Sequence, residues 1–161
     1  MGTRGLFGIK VNDEYYLSFS SHDSYPSGLG FWWYEYLSKV DLEKLKEKVL
    51  SSINVVFKEG SINKEVKEFL MKEGLTEEEA KKEIEIWDIG VVKNPFHSLL
   101  EDETKVYFND KEFMKDSLFC EYTYYYDYDK QRFYCDTGKI RRCLELGNTK
   151  LFEEMFVLTN S

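Results

Sequence analysis

Proline is nearly absent from this chain, with two residues in 161. No stretch is rich enough in Ser, Gly and Pro to act as a linker, so one domain is expected, long enough for a real core. Cysteine is sparse as well. Cys120, Cys135 and Cys143 form an odd set without a C-x-x-C pair, which reads as reduced, partly buried thiols. The two histidines, His22 and His97, are far apart and outside any metal-ligand spacing. A zinc site needs several N or S ligands converging, so neither a metal nor another cofactor is expected. No apolar run approaches the ~18 residues that cross a bilayer, and no charged start leads into an apolar export segment. Met1-Gly2 invites myristoylation, but Leu6 stands where that motif needs Ser or Thr. The expectation is a soluble cytoplasmic protein with no membrane partner.

Basic charge is the next shortage. Lys and Arg number 22 against 30 Asp and Glu, a formal charge of −8. Such a surface repels phosphate backbones, which argues against general nucleic-acid binding. A small anionic ligand held by one Arg remains compatible, because a site's field is set mainly by its neighbours. Aromatic residues, by contrast, are abundant: 12 Tyr, 12 Phe and 3 Trp make up 17% of the chain. Each carries a large buried area, so few side chains build a thick core.

Leu6 to Val11 reads as a mostly buried strand, and Asn12-Asp13-Glu14 supplies turn chemistry. Tyr15 to Ser20 alternates, with Leu17 and Phe19 on one face and Tyr16 and Ser18 on the other; a β-hairpin follows. Pro26, Gly28 and Gly30 then force a loop. The pattern predicts a helix over Phe31 to Leu37, and another after Asp41 through Leu42, Leu45, Val49 and Ile53. A third runs from Asn63 to Lys72 through Val66, Phe69 and Leu70, ended by Gly74. Thr76-Glu77-Glu78-Glu79 is a capping box with Leu75 and Ala80 as its staple, predicting a helix from Glu77 to about Trp87. After Asn94-Pro95 strands return: Thr104 to Phe108, then Phe119 to Tyr128, turned at Asp129-Lys130-Gln131 and paired with Arg132 to Asp136. Thr149 to Phe156 suits a short helix. Together these predict an α+β fold in which the N- and C-terminal hairpins form an antiparallel sheet covered by the central helical block.

If the first hairpin forms, it returns Asp23, Ser24 and Tyr25 toward Thr3 and Arg4. Thr3 is read as a strand start, a ligand contact or a nucleophile. Arg4 either pairs with a surface carboxylate or grips a phosphate or carboxylate through its planar fork. Asp23 and Ser24 cap the turn or touch a ligand, and Gly28 and Gly30 let loop amides approach an anion. His22 points away from Asp23 if both are extended. Glu121, facing inward, would need a partner such as Arg4 or a ligand. The tyrosine face of the last hairpin reads as core or interface.

Thr3-Arg4-Gly5, Asp23-Ser24-Tyr25-Pro26-Ser27-Gly28-Leu29-Gly30, Phe119-Cys120-Glu121-Tyr122 and Tyr126-Asp127-Tyr128-Asp129 resemble the motifs of an uncharacterised family found in fungi, bacteria and their viruses. The likeness covers both ends of the chain and implies an order of elements rather than a chemistry. The family's spread implies a phage or viral setting. A looser likeness is to N-terminal-nucleophile hydrolases of the proteasome and choloylglycine types. It implies that Thr3 attacks an amide with its own α-amine as base, a group whose pKa of roughly 7.7–8.0 suits the task. Here Met1 and Gly2 precede Thr3, so that chemistry requires trimming to Thr3. Three functions are therefore expected in order. The first is a binding protein that sequesters a small anionic metabolite or nucleotide signal through Arg4, Asp23, Ser24, Tyr25, Gly28, Gly30 and Glu121. The second is an amide hydrolase using Thr3. The third is a protein–protein module built on the Phe31–Tyr36 aromatics, with homo-oligomers compatible with any of the three.

Overall fold

In the computed structural model, which describes residues 3–20, 23–56, 63–89, 106–115, 120–137 and 141–157, the elements run β1 (Gly5–Val11), β2 (Glu14–Ser20), α1 (Phe31–Lys39), α2 (Leu42–Ser51), β3 (Ile53–Val56), α3 (Asn63–Lys72), α4 (Glu77–Ile89), β4 (Val106–Asn109), β5 (Tyr122–Asp127), β6 (Arg132–Asp136), β7 (Arg141–Leu144) and α5 (Thr149–Phe152). The fold is α+β. The expectations on His22, His97, Asn94-Pro95, Thr104 and Phe119 lie outside the described residues. No helix among the described residues is long and apolar enough to cross a membrane.

The chain divides into two compact units, Met1–Leu42 with Asp110–Ser161, and Glu43–Asn109. In the first, Asn12 and Asp13 both take positive φ, 50° and 65°. That two-residue turn matches the twist of a hairpin and sets β1 against β2 from Gly5–Ser20 to Val11–Glu14. The second hairpin is turned by Asp127. Its carboxylate accepts the N–H groups of Asp129 and Lys130 at 2.9 and 3.2 Å, and Gln131 takes φ 54°. β7 then pairs with β6.

The two hairpins join differently from the expectation. β1 and β5 run parallel, Gly5 opposite Tyr122 and Ile9 opposite Tyr126, giving a mixed sheet in the order β2-β1-β5-β6-β7. The sheet is therefore not antiparallel throughout. β5 takes the central place, and its residues from Thr123 to Asp127 are buried whichever face they point to. A strand covered on both faces belongs in the centre of a sheet. The one charge in it, Asp127, is held by its two turn N–H groups and by Lys10 at 3.9 Å.

Helix α1 covers one face of this sheet. Trp33 Nε1–H donates to the Gly8 carbonyl at 3.0 Å, and Trp33 meets Phe7 edge-on at 5.2 Å between ring centres. Tyr34 packs against Phe133 and Phe152. Of the Phe31–Tyr36 aromatics, Trp33 and Tyr34 are core with no exposed surface, Phe31 and Tyr36 are half-buried, and Trp32 is exposed. The opposite face holds Leu6, Leu17 and Tyr125, closed by Phe113 and Met114. Gly8 lies there between Leu17 and Tyr125 in register, and the Tyr15 and Tyr125 rings meet edge-on across β1 at 5.2 Å.

Helices α3 and α4 form with β3 and β4 a core of their own, made of Val55, Val66, Leu70, Leu75, Ala80, Ile84 and Val106. β3 pairs with β4 in parallel. Ile53 begins β3 instead of ending α2, and Phe69 lies outside the core, 40% exposed. Gly74 at φ 107° ends α3, and the Leu75 N–H closes back on the Leu70 carbonyl at 3.1 Å. The capping box is reciprocal: the Glu79 N–H donates to Thr76 Oγ1 and the Thr76 N–H to Glu79 Oε1, both at 3.1 Å.

Two substitutions test these placements. A methyl group at Gly8 would run into the Tyr16 carbonyl, so Gly8→Ala is expected to lower unfolding free energy by about 2 kcal/mol or more. Thr76→Ala removes one cap and is expected to cost about 1 kcal/mol. Urea unfolding reads both, and a wild-type midpoint for Gly8→Ala would contradict the β1–β2 register.

Candidate functional site

The chain leaves β2 at Ser20, directly opposite Gly5, so the loop that follows starts beside the first strand. Ser24 then turns inward and has no exposed surface. Its Oγ–H donates to the Ser20 carbonyl at 3.3 Å, and its own carbonyl accepts the Tyr124 hydroxyl at 2.7 Å. Gly5 makes room for it: a Cβ there would sit 2.9 Å from Ser24 Cβ and 2.9 Å from the Tyr122 carbonyl. On the other side of Gly5, the Glu121 N–H donates to the Arg4 carbonyl at 3.1 Å. One knot of main chain therefore ties the start of β1, the start of β5 and the loop after β2.

Above the knot the loop is braced internally. Asp23 takes φ 52°, a left-handed conformation that Asp tolerates better than most residues. Its carbonyl accepts the Leu29 N–H at 2.8 Å, and the Tyr25 carbonyl accepts the Gly28 N–H at 3.0 Å. Residues Pro26–Gly30 make one π-type turn that runs straight into α1. A side chain at Gly28 would strike the Asp23 carbonyl, and one at Gly30 would come within 2.7 Å of the Tyr124 ring.

The expected site residues therefore separate into two groups. Arg4, Asp23, Tyr25 and Glu121 are exposed, with Thr3 half-buried beside them in sequence. The Tyr25 hydroxyl donates to Asp23 Oδ1 at 2.9 Å. That bond, then the carboxylate's charge, raises the phenol pKa above its usual value, so Tyr25 presents a neutral hydroxyl and an open ring. Ser24, Gly28 and Gly30 correct the expectation. Ser24 is sealed beneath the surface, Gly30 is buried against Tyr124, and the Gly28 N–H is spent inside the loop. With the Leu29 N–H also engaged, those two amides do not form an anion nest or an oxyanion hole. Glu121 corrects it too, because its side chain faces solvent and has no burial to offset.

Tyr124 is the residue that sequence reasoning missed. Within a run of alternating tyrosines nothing marks which hydroxyl holds a loop, since the bond spans 100 positions. Among the described residues no group of three or more His, Cys, Asp or Glu side chains could hold a metal. Cys120, Cys135 and Cys143 are free thiols, and burial pushes the Cys135 thiol up to about 12. Comparison of the chain with protein-family models, curated proteins and solved structures gives no match, so the functional reading rests on geometry.

Tyr124→Phe is the direct test of the knot. It leaves the Ser24 carbonyl buried without its donor, which is expected to cost about 1–3 kcal/mol and to raise amide exchange across residues 23–30. Unchanged exchange there would show that the loop is held by something other than this bond.

Proposed function

We propose that the chain is a small-ligand-binding domain that grips an anionic metabolite or nucleotide signal with Arg4, Asp23 and Tyr25, and acts by sequestering it in the cytoplasm, a host cell's where the chain is viral. The observation that carries this reading is that three exposed side chains of complementary chemistry project from main chain fixed by one buried knot at Gly5, Ser24 and Tyr124. A flexible loop would lose much of its binding energy to ordering, and a preset one avoids that loss.

The chemistry of the three favours a phosphate or carboxylate attached to a polar body. The Arg4 guanidinium offers paired N–H donors to a planar or tetrahedral anion. Asp23 Oδ1 already accepts the Tyr25 hydroxyl, and its carboxylate has further acceptor capacity for a hydroxyl or amine of the ligand. The Tyr25 ring, 41% exposed, supplies a flat apolar surface for a base or sugar. Thr3 and Glu121 stand at the rim. With a net charge of −8, the rest of the surface disfavours long polyanions, which restricts the ligand to a small one.

Thermal shift and calorimetric titration against nucleoside monophosphates, cyclic nucleotides, dinucleotides and inorganic phosphate test the proposal. At least one is expected to bind the wild type, and Arg4→Ala to weaken it about 10- to 100-fold, as loss of a charged hydrogen bond implies. No binding across the panel, or equal binding by the variant, would contradict it.

A further inference from the structure

A second feature lies along the β2 edge of the same sheet and uses none of the proposed ligand contacts. Among the described strands β2 stands at the end of the sheet, with β1 on one side, the position where a sheet offers main-chain groups to a further partner. Asp110 meets β2 at two points. Its own N–H donates to the Leu17 carbonyl at 2.9 Å, and its Oδ2 accepts the Phe19 N–H at 3.0 Å. One residue thus imitates a partner strand, its main chain giving the donor and its side chain the acceptor.

The residues after it complete a strap. The Phe113 N–H closes a turn on the Asp110 carbonyl at 3.0 Å, and the Phe113 ring stands edge-on to Phe19 at 5.1 Å. Met114 joins the Leu6, Leu17 and Tyr125 cluster, and Lys111 pairs with Glu14 at 3.1 Å. We propose that Asp110–Lys115 is a pH-sensitive latch on the β2 edge, held most firmly while Asp110 carries a proton and lifted more readily once that proton leaves.

Among the described residues, the ionisable groups on the packed elements form no ion pair with the Asp110 carboxyl. On β2 they are Glu14, Tyr15 and Tyr16, and on β1 Lys10. The strap itself carries Lys111, Glu112 and Lys115, and Cys120, Tyr125 and Tyr134 lie around Phe113 and Met114. Lys111 is paired with Glu14, Lys10 with Asp13 and Asp127, and Lys115 with Glu112. Partial burial raises the Asp110 pKa from 3.8 to about 6, against the Phe19 N–H, which lowers it. A carboxyl whose pKa is raised in the closed state favours closure when neutral. The latch is therefore at full strength below the ordinary carboxyl range, weakens as pH rises toward about 6, and stays at its weaker level above that. The neutral form still offers a carbonyl oxygen to Phe19, whereas the ionised form gains hydration by lifting.

Backbone amide NMR of the intact protein across pH 4–8 tests this. The Phe19 amide proton shift is expected to titrate with a midpoint near 6. The protection factor of that amide, with the intrinsic pH dependence of exchange removed, is expected to fall by on the order of 100-fold over the same range. Asp110→Asn keeps the acceptor and cannot ionise, so both inflections should vanish. A wild-type midpoint at the ordinary carboxyl value, a flat wild-type protection profile, or an inflection that survives in Asp110→Asn would each overturn the latch.

Discussion

Parallel pairing of β1 with β5 is the constraint on which the rest depends. Each hairpin closes on a local turn, Asn12-Asp13 in one and Asp127–Gln131 in the other, and needs no help from distant sequence. Joining them means bringing together strands separated by the whole of Glu43–Asn109. The entropy of closing so long a loop rises only slowly with its length, and it is offset by covering a strand that is apolar on both faces. Tyr124 and Tyr125 illustrate this, pointing to opposite faces and both buried.

The proposed site is a product of that pairing. Neither hairpin alone contains it: Arg4, Asp23 and Tyr25 come from the first, while Tyr124, which fixes the loop, comes from the second. Three glycines mark where main chain and side chain approach too closely for a Cβ, at Gly5 under Ser24, Gly28 under Asp23 and Gly30 under Tyr124. These residues shape the site without lining it. Their closeness to the exposed trio explains why a sequence reading assigned Ser24, Gly28 and Gly30 to ligand contact.

Local rules made much of the fold legible. The first hairpin, α1, the span of α3 and the Thr76–Glu79 box with its Leu75–Ala80 staple all follow from turn residues, caps and periodicity acting within a few positions. What escaped were the relations between elements. Ile53 continues the apolar spacing of α2 and yet begins β3, because β4 offers it a partner that periodicity does not reveal. Arg141–Leu144 is short and polar on its exposed side and joins the sheet only because β6 has an open edge. The direction of β1 against β5 is likewise invisible in either strand, since alternation fixes which side chains share a face but not which way a neighbour runs. For the site, a Gly-rich loop after a hairpin was enough to predict that the chain returns to the start of β1, where Ser24 packs on Gly5, but not to tell scaffold from surface.

Cross-strand nuclear Overhauser contacts between β1 and β5 in the labelled protein test the central claim most directly. The pairing predicts amide-to-α-proton contacts stepping in one direction from Leu6 and Thr123 to Ile9 and Tyr126. Close α-to-α-proton contacts between these strands, the mark of antiparallel neighbours, or the absence of any contact between them, would contradict it.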